Sequence, residues 1–310
     1  MNISSFKVSI VIPIYNEEGN ILVLSQKLIE VLYTYDYEII FIDDGSKDNT
    51  LCVLKELHAR NQKVHYLSFS RNFGHQNALR AGLNYASGDC VISMDGDLQH
   101  PPELIPIMIE KWKEGYEIVY TKRKDDPKTS IIKRLTSRCF YCFMNIISDL
   151  DIEQGTADFR LLDKSIVEVF HKIHENALFI RAMVRWLGFK QYGLEYMPNE
   201  RFWGKTKYSP SKMLNFAIEG ITSFSVKPLR ISTFLGGWMA LFSFFYGIYA
   251  LWIKFFTNNS VQGWTSILIV VTFIGGIQLI MIGILGEYLG RLFIEAKNRP
   301  NYIVREKSFD

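Results

Sequence analysis

At 310 residues, 48% of them hydrophobic and 22% charged, the chain is long enough for one sizeable domain with an appendage. A formal net charge of +3 at pH 7 is too small to point to nucleic acid as a partner. Four scattered cysteines, and residues 1–7 that lead straight into a strand with no secretory leader, fit a reducing cytoplasm.

The first element is a β-branched strand from Val8, ending in Tyr15, Asn16, Glu17 and Glu18, with an apolar-periodic helix after it over residues 21–32. A second strand over 38–42 ends in Asp43, Asp44, Gly45 and Ser46, and a helix follows to about residue 57. A third strand over 64–70 leads through Arg71, Asn72, Phe73, Gly74, His75 and Gln76 into a helix over 78–86. The fourth strand, Val91 to Met94, runs into Asp95, Gly96, Asp97, Leu98, Gln99 and His100. Strands alternating with helices in units of roughly thirty residues predict right-handed crossovers and a mostly parallel, doubly covered sheet.

In such a sheet a ligand lies outside the carboxyl ends of the strands, where the polar clusters at 15–17, 43–46 and 95–97 all fall. A hard Mg²⁺ or Mn²⁺ uses one or two protein carboxylates and completes its shell with water and phosphate oxygens. Asp95 and Asp97 with Gln99 therefore suit a metal–diphosphate clamp, against the simpler alternative of a turn capped by two acids. Neither Gly-x-Gly-x-x-Gly nor Gly-x-x-x-x-Gly-Lys-Ser/Thr occurs, so a nucleotide here would be held by acids and a metal rather than by a glycine-rich loop.

Ile12-Pro13-Ile14-Tyr15-Asn16-Glu17, Asp43-Asp44-Gly45-Ser46, Asn72-Phe73-Gly74 and Asp95-Gly96-Asp97-Leu98-Gln99 resemble the nucleotide-sugar-binding domain of the family 2 glycosyltransferases. Gly155 to Arg160, Glu200 to Ser209 and two hydrophobic spans extend the likeness over nearly the whole chain, to the polyprenyl-phosphate branch and most closely to bacterial bactoprenol glucosyltransferases. The resemblance implies a glycosyltransferase A-type α/β fold, with a mostly parallel sheet covered by helices. It implies that Pro13, Tyr15, Asn16, Glu17 and Asp43 embrace the nucleoside, with Asp44 beside them. Asp95 matches the acid near ribose and diphosphate, and Asp97 and Gln99, with Asp95, match the metal side. Asp158 matches the acid near the reacting sugar. Arg201 and Lys207 would assist the departing diphosphate. Gly204-Lys205-Thr206-Lys207 departs from the usual Gly-x-Ser-Lys but keeps a hydroxyl.

Lys122, Arg123 and Lys124 follow a strand over 117–121, and Lys133, Arg134 and Arg138 lie on the next amphipathic helix, where Arg134 and Arg138 share a face. A solvated basic surface is the plain reading. A lipid-phosphate acceptor needs cations near the membrane surface, and the resemblance implies Arg123 and at least one of Arg134 and Arg138 in that role. Cys139 and Cys142, in an apolar helical run without a second ligand pair, read as helix-face or core residues. His171 and His174 read as helix surface, since no third metal ligand accompanies them. Arg185-Trp186 matches half of the Gln-x-x-Arg-Trp signature of processive synthases, but Ala182 stands at the glutamine position, which counts against a polymerase.

Residues 231–253 carry no charge between Arg230 and Lys254, and residues 264–286 carry none before Glu287. Each run can cross a hydrocarbon core about 30 Å thick, which takes about 20 helical residues. Gly236, Gly237, Gly275, Gly276, Gly286 and Gly290 would permit close helix contact. Residues 256–263 lack Lys and Arg, whereas Lys227 and Arg230 precede the first span and Arg291, Lys297, Arg299, Arg305 and Lys307 follow the second. The positive-inside rule then places the catalytic domain and both termini in the cytoplasm. The expected divisions are a catalytic domain over 1–208, an interfacial amphipathic helix over 209–230, spans at 231–254 and 264–288 joined by an extracytoplasmic loop at 255–263, and a tail over 289–310.

The expectation is a multi-pass enzyme of the bacterial plasma membrane that transfers glucose from UDP-glucose to undecaprenyl phosphate with inversion, using Mg²⁺ or Mn²⁺. Its partners would be the UDP-sugar donor, the lipid acceptor, the bilayer, a flippase and further copies of itself, a tetramer being the assembly the resemblance implies. Two alternatives are the same reaction with an aminosugar or mannose nucleotide, and a non-catalytic membrane scaffold that keeps a transferase-like domain.

Overall fold

A computed structural model describes residues 6–124, 155–173, 175, 180–198, 225–256 and 263–309. Strands and helices alternate through the first part: β1 (Lys7–Ile14), α1 (Ile21–Leu32), β2 (Asp36–Asp43), α2 (Thr50–Arg60), β3 (Val64–Phe69), α3 (His75–Tyr85) and β4 (Cys90–Ser93). The four strands are mutually parallel in the order β4-β1-β2-β3. Helices cover both faces, so the strands read as continuous apolar runs rather than alternating ones, and from Val8 onward every residue of β1 is buried. On α1, Ile21, Leu24, Leu28 and Leu32 bury one stripe, each contributing about 1.5–3 kcal/mol relative to exposure.

Pro13 sits in this central strand without breaking a ladder. Met94 donates its N–H to Val11 O, and pairing with β4 stops at the Val11–Ser93 register. Pro13 faces the same side as Val11, two residues earlier, so its missing N–H falls where β4 has already turned away.

Later segments complete the sheet. After α4 (Ile105–Lys113), β5 (Ile118–Arg123) and β6 (Thr156–Asp163) follow, then α5 (Lys164–Lys172), α6 (Ile180–Trp186) and β7 (Gln191–Tyr196). Strand β6 enters antiparallel between β4 and β5, with Ser93 opposite Arg160 and Cys90 opposite Asp163. The last strand, β8 (Val304–Lys307), pairs antiparallel with β3, giving the order β7-β5-β6-β4-β1-β2-β3-β8. The sheet is thus mostly parallel, as expected, with antiparallel joins at β6 and at the β8 edge.

Two departures from the sequence reading bear on the site and the chain path. Helix α3 begins at His75 rather than at 78, because Gly74 takes φ +96° and turns the chain directly into the helix. The stretch 289–310, read as a tail, instead continues a helix to Ala296 and then returns Val304–Lys307 to the sheet.

Helices α7 (Lys227–Phe256) and α8 (Trp264–Ala296) belong to a second compact unit. Lys227–Tyr249 and Phe273–Ala296 are long and apolar enough to cross a membrane. A core helix of a soluble domain would hide its large apolar side chains, but Phe242 is 74% and Phe255 75% exposed. Of residues 209–230, read as an interfacial helix, 209–224 lie outside the described residues, and 227–230 form the first turn of α7 rather than the end of a separate helix.

Candidate active site

The loop after β4 is shaped by sterics first. A Cβ on Gly96 would lie 2.5 Å from Ile14 Cγ2, so only glycine lets Asp95 and Asp97 pack this close to β1. Leu98 is buried at φ +63°, a left-handed conformation that costs a residue with a Cβ about 1–3 kcal/mol. The turn it makes brings the Gln99 N–H to Asp97 Oδ1 at 3.1 Å.

His100 secures the same loop from behind. It is buried, stacked on Phe159 at 5.2 Å and edge-on to Tyr196 at 5.9 Å, and its Nδ1 accepts the Asp95 N–H at 3.0 Å. Burial lowers its pKa and favours the neutral ring, whose proton then sits on Nε2, 3.7 Å from Asp95 Oδ2. Burial likewise pushes the neighbouring Tyr196 hydroxyl up to about 12, so it stays protonated at neutral pH.

Because β6 lies antiparallel beside β4, Asp158 near its start reaches the level of the Asp95 loop. Arg181 on α6 grips Asp158 through both oxygens, Nε to Oδ1 and Nη2 to Oδ2, each at 2.7 Å. The buried Arg160 adds Nη2 to Oδ1 at 3.4 Å, and His75 Nε2 stands 3.5 Å from Asp158 Oδ2 and 3.5 Å from Asp95 Oδ1. Burial alone would raise the Asp158 pKa; the Arg181 guanidinium, the His75 hydrogen bond and Arg160 reverse this and hold it well below the usual carboxylate range. For His75, desolvation alone would lower the pKa, but the hydrogen bond to Asp158 and the charges of both carboxylates bring it to about 9. Burial draws Arg160 down to about 10, still cationic at neutral pH.

The first two strand-end clusters hold each other. Asp43 accepts from Ser46 N (2.9 Å) and Ser68 Oγ (2.8 Å). Asp44 accepts from Phe73 N (2.6 Å) and Gly74 N (3.0 Å), although burial still raises its pKa. Asn16, at φ +54°, donates its N–H to Ser46 Oγ and accepts from Lys47 N, while Glu17 N–H meets Thr50 Oγ1 and Glu17 Oε2 accepts from Asn20 Nδ2. Asp43, Asp44 and Asn16 thus spend hydrogen-bonding capacity on fixing the walls of the site. Pro13 is buried and Tyr15 half-buried beside them.

At the end of β5, the exposed Arg123 donates from Nη2 to Gln99 Oε1 at 2.9 Å, so the acceptor-side arginine and the metal-side glutamine of the sequence reading are in direct contact. Arg134, Arg138, Arg201, Lys207, Cys139, Cys142 and His174 lie outside the described residues. His171 is exposed with Nε2 3.3 Å from Leu83 O, and Ala182 is buried on α6. The sequence reading assigned no role to His75, His100 or Arg181. Their importance comes from long-range packing, and the only local signal was a histidine directly after Gly74 at a strand–helix junction.

The domain model of glycosyl transferase family 2 matches residues 9–187, which runs from within β1 through α6 and takes in every carboxylate described above. The chain belongs to glycosyl transferase family 2. This family 2 glycosyltransferase is 44% identical to the SfII prophage-derived bactoprenol glucosyl transferase of Shigella flexneri, over 97% of this chain and 98% of that one. It is 44% identical to the prophage bactoprenol glucosyl transferase homolog of Escherichia coli K12, over 96% and 98%. An uncharacterized glycosyltransferase of Bacillus subtilis, YkcC, is 43% identical over 96% and 93%. Among solved structures, mannosyl-3-phosphoglycerate synthase from Rubrobacter xylanophilus aligns with TM-score 0.49 and 16% identity, over 69% of this chain and 71% of that one.

Proposed function

We propose that this enzyme transfers glucose from UDP-glucose to undecaprenyl phosphate at the cytoplasmic face of a bacterial membrane. The observation that carries the reading is the 44% identity, over nearly the whole of both chains, to proteins named bactoprenol glucosyl transferase. Two long, outwardly apolar helices in this chain fit an enzyme whose acceptor is a membrane lipid.

The geometry supports direct displacement. An oxygen of the lipid phosphate forms the new bond to the anomeric carbon while the bond from that carbon to the UDP oxygen breaks, UDP leaving with the electron pair. The acceptor is already anionic and no proton has to be removed. Asp158 fits that economy: a general base works best with a pKa near the working pH, and a carboxylate gripped by Arg181 and held well below its usual range is unsuited to that task. Its role is to orient Arg181 and His75 toward the site. Attack opposite the leaving group inverts the anomeric centre and gives a β-linked product from an α-linked donor.

Among the described residues no three or more His, Cys, Asp or Glu side chains group as a self-sufficient metal cage. Asp95, half-exposed, and Asp97 fit instead a cation that shares its shell with a diphosphate, the usual arrangement for Mg²⁺. When bound, Mg²⁺ or Mn²⁺ would neutralise charge on the departing diphosphate. Gln99 and Arg123 lie at the edge of that position, where Arg123 would meet the lipid phosphate.

Connectivity supports the topology. The chain leaves the catalytic unit for α7 and α8 and comes back to the same sheet as β8. Two crossings would return it to the side it left, and the Lys and Arg residues flanking the spans favour the cytoplasm as that side.

The test offers full-length protein in detergent Mg²⁺, undecaprenyl phosphate and, in turn, labelled UDP-glucose, UDP-N-acetylglucosamine and GDP-mannose. Labelled lipid formed preferentially from UDP-glucose supports the reading, preference for another donor transfers it to that sugar, and no labelled lipid from any donor contradicts it.

A further inference from the structure

The C-terminal strand reaches toward the active site. Just before β8, Ile303 O accepts the N–H of Ser70, the first residue after β3. Tyr302 stacks its ring on Phe69 at 5.1 Å and 14°, and its hydroxyl accepts from Asn84 Nδ2 at 3.0 Å. Phe69 meets Phe73 edge-on at 5.8 Å, and the Arg71 guanidinium lies over the Phe73 ring, 4.7 Å from its centroid. Phe73 and Gly74 give their N–H groups to Asp44, and the next residue is His75, set between Asp95 and Asp158. On the inner side the loop has no slack, since a Cβ on Gly45 would lie 2.4 Å from Arg71 C. Residues 70–75 therefore form a short bridge with the tail at one end and the carboxylates at the other.

We propose that Tyr302, with the backbone of Ile303, is a positioning residue for the donor side of the site, holding the 70–75 loop so that His75 stays between Asp95 and Asp158. The tail residue acts through Phe69 and Phe73 and touches no substrate. This rests on the donor reading above. It makes the C-terminal segment, which follows the membrane helices, a working part of the catalytic unit.

The test uses full-length protein in detergent with UDP and Mg²⁺ as the binding probe, alongside amide hydrogen exchange over residues 70–78. Tyr302→Ala should weaken UDP binding by about 3- to 10-fold, the worth of one aromatic pair, speed exchange across the loop, and leave the KM for undecaprenyl phosphate unchanged. Tyr302→Phe, which keeps the ring, should restore both to near wild type. If Tyr302→Ala fails to fold, Tyr302→Leu, which keeps apolar volume without a flat ring, is read the same way. Unchanged UDP affinity and unchanged loop exchange, even with a lower Tm, would overturn the proposal, as would Tyr302→Phe behaving like the alanine variant. Wild-type protein that binds no UDP would overturn the donor reading itself, and this inference with it.

Discussion

Arg181 and Asp158 form a two-pronged ion pair, Nε to Oδ1 and Nη2 to Oδ2 at 2.7 Å each, in which the carboxylate is buried and the guanidinium reaches the site from α6. Asp158 is also within 3.5 Å of His75 and Arg160, so one anion orders three cationic groups. Asp158→Asn keeps the shape and removes the charge. Breaking a buried pair from one side typically costs about 3–5 kcal/mol, and the partial exposure of Arg181 places this pair at the lower end. Denaturant unfolding at pH 7 should show that loss, and turnover should fall with it. Because the folded pKa of Asp158 is depressed, its contribution is present above the unfolded value of about 3.9 and disappears as pH falls below it, so wild type and variant should converge in acid.

Gly96→Ala should impair the enzyme through Ile14. The added methyl would stand 2.5 Å from Ile14 Cγ2, and overpacking of this kind costs about 1–3 kcal/mol. Turnover should drop because the Asp95–Asp97 loop must move. Combining Gly96→Ala with Ile14→Ala opens the space, and the pair should be less damaging to turnover than the product of the two single effects. Strictly multiplicative losses would show that the clash is not the cause.

Asp97→Ala should abolish the metal dependence of UDP binding. Calorimetric titration of wild type with UDP is expected to show tighter binding in Mg²⁺ than in chelator, and the variant the same weak binding in both. A variant that retains the metal effect would move the cation away from Asp97.

A distant control lies at the other end of the sheet. Glu38 on β2 is buried and accepts from Lys7 Nζ, Ser9 Oγ and the N–H and Oγ of Ser87. Burial would raise its pKa, but the Lys7, Ser9 and Ser87 hydrogen bonds bring it below the ordinary value. Its stabilisation is therefore present above the unfolded pKa of about 4.3 and lost as pH falls through the folded value. Glu38→Gln should cost about 1–3 kcal/mol at pH 7 and progressively less as pH falls through the folded value, with kcat unchanged. Thermal unfolding across pH with a parallel assay checks both parts.

Much of this architecture was legible locally. Apolar runs ending in Tyr15-Asn16-Glu17, Asp43-Asp44 and Asp95-Gly96-Asp97 mark parallel strands whose carboxyl ends converge, and α1 fell over 21–32 as its periodicity predicts. What stayed hidden depends on chain returns. Nothing near Asp158 in the sequence says that β6 runs antiparallel beside β4, so its partnership with Arg181 and His75 could not be read. The β8 segment, Val-Arg-Glu-Lys, is mostly charged, as suits a sheet edge, and carries no strand pattern strong enough to be seen alone. The roles of Asp43, Asp44 and Asn16 in holding the loops together also emerge only once Ser46, Ser68 and Phe73 are placed around them.

The most direct measurement is the anomeric configuration of the lipid product, taken by NMR from undecaprenyl phosphate and UDP-glucose incubated with the full-length enzyme and Mg²⁺. Direct displacement predicts a β-linked glucosyl phosphate lipid and stoichiometric UDP. An α-linked product, or UDP released with free glucose and no lipid-linked sugar, would contradict it.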